Sequence, residues 1–361
     1  MIIVKTNELK KALSKAVKCA SSNRFCPLTN MLALELREEN LILKTTDMNN
    51  YLYVSCPIES KKTSNFYAVI EIERFSKLIS MLTSEFVDLN VTESVLEVVA
   101  NGTYKFELQV DENGVVEFPT LESRLSNLNV KGTYVIDAET IFKILGTSRA
   151  SLANNLTIPV YANYYLGDCV LTTDTYKICE LRTHIFDNPM LLSGATLDLI
   201  GSFCESDVEI TVYENKLKIA TDFITLVCSI GESVENFKVE LIKDVINRPC
   251  EDSCLLNKHE LLDALNRICL FIDTYDDNLI KLQFGADILK ISSLKTTGEE
   301  VIELHNCTVT DVETMYIDSA LLLEQIKVYP KEEISLAFRK GNFIKLTSDD
   351  IIQIVALSQK N

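Results

Sequence analysis

Two hydrophobic periods alternate along this chain. The segments NELKKALSKAVKCA (7–20), AETIFKILGTSRA (138–150) and KHELLDALNRICLFI (258–272) carry apolar residues at helical spacing; in the first, Leu9, Leu13, Ala16 and Val17 share one face. Each is followed by a pair of short apolar runs, at 41–56, 169–182 and 288–304, that predict strand hairpins. A second pattern, a helix leading within a few residues into a strand, recurs at 73–91, 194–212 and 319–338. Two more strands across a turn then follow, at 94–110, 215–230 and 342–357. Val87, Val208 and Ile334 occupy matching strand positions roughly a third of the chain apart, which reads as three copies of one unit with two helices and two groups of strands. Polar stretches near 120–130 and 245–254 mark the seams and predict domains at 1–124, 125–248 and 249–361. The expected fold class is α+β, built from three repeated domains.

Composition narrows the chemistry. With 47% hydrophobic residues, 7 Pro and 11 Gly in 361 residues, a disordered or low-complexity chain is excluded. There is no apolar run long enough for a membrane span and no apolar leader at the start, so the expected location is the cytoplasm, with no membrane partner. Eleven Cys without close pairing read as reduced thiols, and the three His stand at no metal-ligand spacing, so neither a metal nor another cofactor is expected. No phosphate-binding glycine loop, nucleophile elbow or Cys/His/Asn arrangement is present, and an enzyme is not expected. Asp47 and Asp174 each follow a threonine at matching repeat positions; paired Thr-Asp at a hairpin corner reads as turn chemistry rather than acid–base catalysis.

Charge then separates the helices from the rest. The net charge is −17, from 35 Lys and Arg against 52 Asp and Glu, yet basic residues recur on the helices. At 100° per residue, Lys11, Lys15 and Lys18 fall within about 60° of one another, almost opposite the packing face of their helix. Arg74 and Lys77 stand three apart on the second helix, and Lys143, Arg149, Lys258, Arg267, Lys327 and Lys331 extend the theme through the other repeats. Each alone reads as a solvated helix face. Their recurrence in an acidic chain reads as faces from which acid is kept away, a lining suited to sequence-independent contact with duplex DNA phosphates.

These repeats resemble the bacterial beta sliding clamp, the processivity subunit of the replicative DNA polymerase. The resemblance spans essentially the whole chain. It is carried by Asn23-Arg24-Phe25-Cys26-Pro27-Leu28 through Leu34, by Thr46-Asp47, by Glu117-Phe118-Pro119, and above all by Leu171-Thr172-Thr173-Asp174-Thr175-Tyr176-Lys177, which is similar to the family's Thr-Asp-x-His-Arg segment. The divergence reads as a bacteriophage or mobile-element copy. The resemblance implies a head-to-tail homodimer: a ring around duplex DNA, helices lining the hole and β-sheets on the outer rim, with Arg24 touching DNA. It implies partners, a DNA polymerase and a clamp loader, that dock by short linear peptides in a hydrophobic groove formed by Ile158, Thr173, Tyr176, Lys177, Ile178, Ile242, Ile354, Ala356 and Ser358. It also implies a subunit contact of Phe106 and Leu108 against Leu270 and Phe271. Three places depart from the family. Leu192-Ser193 replaces a basic pair and the helix at 194–204 has no base; Lys238 replaces a proline; the tail reads Ala356-Leu357-Ser358. Those missing bases and the net acidity leave a second reading open, a protein-interaction scaffold on the same fold that does not bind DNA.

Overall fold

The computed structural model describes residues 1–21, 23, 25–63, 65–112, 114–154, 158–231, 233–273, 278–295 and 297–359. Its helices are α1 (Thr6–Ala16), α2 (Ile72–Met81), α3 (Leu121–Leu125), α4 (Ala138–Ser148), α5 (Gly194–Gly201), α6 (Val239–Ile246), α7 (Lys258–Cys269) and α8 (Ser319–Val328). Six of these sit where the helical periods predict, while α3 falls in the predicted seam near 120–130 and α6 runs up to the start of the one at 245–254. The chain divides into two compact units, one of Met1–Ala138 with Ala195–Ile230 and the other of Glu139–Gly194 with Gly231–Asn361.

The first unit holds an eight-stranded antiparallel sheet in the order Val130–Ile136, Val208–Tyr213, Lys216–Ala220, Ile224–Ser229, Asn50–Pro57, Asn40–Thr46, Met31–Arg37, Tyr67–Glu71. Strands from the first and middle thirds of the sequence meet at its centre, where Leu226 lies opposite Leu52. A second, five-stranded sheet ends at Thr103–Glu107, an edge with a neighbour on one side only among the described residues. Helix α1 buries Leu9, Ala12, Leu13 and Ala16 and packs on α2 and on the strand Asn50–Pro57.

The second unit repeats the plan. Its eight-stranded sheet runs Met190–Ser193, Asn163–Leu166, Val170–Thr173, Lys177–Leu181, Ile351–Ala356, Phe343–Thr347, Glu333–Arg339, Asp252–Asn257. Here strands of the middle and last thirds join, with Ile178 opposite Ile354. A four-stranded sheet ends at Glu299–Glu303, again paired on one side only among the described residues. Helix α7 packs on α8 and on that sheet, and its start is fixed by Asn257, whose side-chain oxygen accepts from the Glu260 amide at 3.1 Å.

Polar details recur between the units as faithfully as the strands do. The Thr45 hydroxyl donates to the Ala16 carbonyl at 2.9 Å and the Thr172 hydroxyl to the Ser148 carbonyl at 2.7 Å, so each satisfies a carbonyl at the end of the helix before it. At the hairpin corners, Asp47 accepts from the amides of Asn49 and Asn50 at 2.9 and 2.6 Å, and Asp174 from those of Tyr176 and Lys177 at the same two distances. Met48 and Thr175 take the left-handed backbone, at φ 79° and 80°, that each corner requires. Both aspartates therefore serve as turn residues. All eleven cysteines are free, and burial pushes the thiols of Cys19, Cys56, Cys169, Cys179, Cys228 and Cys254 up to about 12, far from thiolate chemistry.

Candidate partner groove and nucleic-acid interface

Lys11 and Lys15 on α1, with Lys18 in the short helical turn just after it, face away from the helix's packing side, but acid is not kept off them. Lys11 pairs with Glu8 at 3.1 Å and Lys15 with Glu205 at 2.7 Å, while the Lys18 ammonium donates to the Ser202 carbonyl at 3.2 Å. Arg74 is exposed on α2, and Lys77 beside it pairs with Glu73 at 2.6 Å. In the second unit Lys143 on α4 pairs with Asp350, and Arg267 on α7 holds Glu300 through two bonds, at 2.7 and 3.1 Å. Arg149 and Lys327 are exposed near the ends of α4 and α8.

Lys258 stands at the start of α7, whereas Lys331 corrects the expectation that these bases all sit on helices. Lys258 donates to the Tyr329 carbonyl at 2.7 Å, an intrachain bond just beyond the end of α8. Lys331 lies beyond α8 altogether and pairs with Asp349 at 2.7 Å. Arg24 lies outside the described residues. The paired carboxylates are real partners: hydrogen bonds from Lys77, Lys15 and Arg267 hold the carboxyls of Glu73, Glu205 and Glu300 below the usual range. Exposed pairs of this kind are nonetheless weak, so a phosphate can take the carboxylate's place.

Thr173, Tyr176, Ile178, Ile354 and Ala356 share one sheet face of the second unit by register. Ile178, Ile242 and Ile354 belong to one apolar cluster with Leu171, Phe237, Ile246, Phe343 and Ile352, and Tyr161 packs edge-on to Phe237 at 5.3 Å. Helix α6 supplies Ile242 and Ile246, one helical turn apart, as the wall over the strands. The cluster opens where the Ala356 amide donates to the Tyr176 carbonyl at 2.8 Å: Tyr176 is 63% exposed, and Ala356, Ser358 and Ile158 are half-buried. Thr173 closes the corner, its hydroxyl donating to the Lys177 carbonyl at 2.7 Å.

Lys177 is the correction in this set. Strand alternation sends it to the opposite face from Ile178, where its side chain is 5% exposed and its ammonium pairs with Asp174 at 3.3 Å and with Glu324 of α8. Its charge is spent inside the fold. A cleft of about 770 Å³ that no sequence pattern signals lies at the start of α6, where the Lys243–Asp168 pair at 2.7 Å and Tyr165 line it.

The subunit-contact residues divide. Phe106 and Leu108 are 8% and 6% exposed, and Phe106 meets Phe75 edge-on at 5.4 Å, so both serve the core of their own unit. Leu270 and Phe271 stand out at 82% and 51% exposed at the end of α7. Among the described residues no group of His, Cys, Asp or Glu could hold a metal ion, and no helix is long and apolar enough to cross a membrane.

Residues 1–122 match the family described as DNA polymerase III beta subunit, N-terminal domain. The fold is similar over the full length to solved structures: the DNA polymerase III beta chain of Streptococcus pneumoniae (14% identity, TM-score 0.87, all of both chains) and DNA polymerase III subunit beta of Borrelia burgdorferi (18%, 0.84, 100% of this chain and 99% of the other). A Pseudomonas aeruginosa sliding clamp bound to griselimycin shares 15% identity at TM-score 0.86, covering 99% of each chain. No curated protein matches the sequence. Residues 1–122 thus match the N-terminal domain of the DNA polymerase III beta subunit, and the whole chain has the fold of the DNA sliding clamps, built of repeated domains.

Proposed function

We propose that the chain works in the cytoplasm as a head-to-tail homodimer that closes around duplex DNA and holds a polymerase and a clamp loader through the groove of the second unit. Three repeats bounded at 1–124, 125–248 and 249–361 account for the matching Thr-to-carbonyl bonds and Asp corners at 45–50 and 172–177. The observation that supports the partner reading is one apolar cluster holding Ile178, Ile242 and Ile354 next to an exposed Tyr176, the apolar character such a site needs. Replacing Tyr176 by Ala is expected to weaken a partner's apolar peptide at least tenfold in fluorescence anisotropy without shifting the melting temperature, since an exposed ring supports no core. Unchanged affinity would move the site elsewhere.

The dimer reading rests on two half-paired edges. Thr103–Glu107 presents Lys105 and Tyr104, and Glu299–Glu303 presents Glu299, Val301 and Glu303. The first edge, with Lys105 and Glu107, is neutral and the second acidic; unpaired edges of this kind can pair between copies, and Phe271 packs against Gly298 at the start of the second. Leu270→Ala with Phe271→Ala is expected to give folded monomers by light scattering; a dimer of unchanged mass would place the interface elsewhere. Retention on nicked circular DNA with release from linear DNA is the test of the ring, and equal behaviour on both would favour a scaffold that does not encircle DNA.

A further inference from the structure

The groove face does not end at its apolar residues. Strand register extends it into two rows that cross the sheet. One row runs Ile178, Ile354, Lys345, and the next runs Tyr176, Ala356, Phe343, Arg339. Ile178, Ile354 and Phe343 belong to one cluster, and alternation puts Lys345 and Arg339 on the same side. At about 4.8 Å between strands, Arg339 stands about 10 Å from Ala356, the reach of three extended residues.

These two cations differ from most bases in the chain. The Lys345 ammonium donates to the carbonyls of Ile246 and Arg248 at 2.6 and 3.3 Å, and the Arg339 guanidinium to the Pro249 carbonyl at 3.0 Å. Neither meets a carboxylate among the described residues, because the acids nearby are engaged by Lys340: Glu313 and Asp252 through its ammonium, Glu251 through its amide. Arg248, on the segment both cations hold, is exposed. A net positive patch therefore flanks the apolar opening of an acidic protein.

We propose that the peptide accepted by the groove is acidic as well as apolar: a carboxylate three residues from its apolar anchor pairs with Arg339 and Lys345. This rests on the groove reading above. Cations held by backbone carbonyls keep their charge and their position, and an arriving carboxylate gains a charge-assisted bond without ordering a loose side chain. The same patch would contribute to specificity, since a basic residue at that point of the peptide would meet like charge.

The test uses the full-length protein and synthetic ten-residue peptides with two C-terminal leucines as anchors. They differ only three residues before the anchor, as Glu, Gln or Lys, and are followed by fluorescence anisotropy. Glu is expected to bind about 5- to 10-fold more tightly than Gln at 0.1 M salt, with Lys weaker still, and the order should collapse near 1 M salt. In Arg339→Gln/Lys345→Gln, checked by thermal melting, Glu and Gln should bind alike at the affinity of the wild type for Gln; Lys345→Met keeps the packing stem should the pair fail to fold. Equal affinity for Glu and Gln on the wild type would overturn the proposal and leave the groove intact. Weak binding of all three peptides, unmoved by Tyr176→Ala, would overturn the groove itself. A drop in duplex DNA affinity in Arg339→Gln/Lys345→Gln, without any preference among peptides, would assign the patch to phosphate instead.

Discussion

Replacing Glu35 by Gln is expected to cost about 3–5 kcal/mol of stability at pH 7, the usual consequence of stranding a buried charge. The charge in question is Lys44, in the middle of the first unit's large sheet. Its side chain is 3% exposed, and its ammonium lies 2.5 Å from Glu35 and 4.9 Å from the Tyr53 ring centroid. Arg37 shares the same carboxylate at 2.8 Å. Burial alone would push the Glu35 carboxyl up, but the hydrogen bond and charge of Lys44, joined by Arg37, more than offset this and hold it below the usual range. A carboxyl with a depressed folded value stabilises the fold fully above its unfolded value of about 4.3, and that stabilisation is lost as pH falls through the lower folded value. Wild type and variant should therefore differ by a constant amount between about pH 6 and 8, and the difference should begin to shrink near the unfolded value and vanish only below the lowered folded one. Gln keeps the shape and one acceptor, so a difference that persists undiminished in acid would point to packing rather than charge. Urea unfolding across that pH range decides, and adding Lys44→Met to the variant should restore much of the stability, because a paired apolar replacement strands nothing.

The repeats were legible because their signals are local. Helix spacing around Leu9, Leu13 and Ala16 and the Thr-Asp corners at 46–47 and 173–174 need only a few consecutive residues. The linker helices were missed although each carries an i, i+4 apolar pair, Leu121 with Leu125 and Ile242 with Ile246; α3 is five residues long, too short for a period to emerge from polar surroundings. Lys177 was placed in the groove by resemblance, where alternation from Ile178 would have sent it to the other face. Partnering was not legible at all. Glu205 reaches Lys15 from 190 positions away, and no pattern on α1 foretells it. The meeting of strands 50–57 with 224–229, and 177–181 with 351–356, is likewise set by register across the fold, which periodicity within one strand does not specify.

Neutralising Lys11, Lys15 and Lys18 together should have its large effect on DNA and almost none on the fold. Gln is the better replacement than Glu, since the partners Glu8 and Glu205 would meet a reversed charge as repulsion. Lys11 and Lys15 project from the side of α1 opposite its buried Leu9, Leu13 and Ala16, and Lys18 is exposed in the turn that follows, so stability should change by no more than about 0.5 kcal/mol. Binding to phosphate works by release of counterions, and each phosphate-neutralising cation removed lowers the slope of log affinity against log salt by about 0.9. In the proposed dimer the triple variant removes such cations from both copies, and the slope should flatten by as much as about 5. Each lysine already has an intrachain partner, which lowers the gain from binding DNA by the small worth of an exposed pair and lets the ammonium exchange between carboxylate and phosphate. Processivity of the tethered polymerase should fall in step, because a clamp that holds its duplex less often is released more often at each pause. The decisive measurement is affinity for nicked circular DNA over a salt series, wild type against the triple variant, with thermal melts alongside. One shared salt slope would mean that these lysines face solvent away from the duplex and that α1 does not touch DNA.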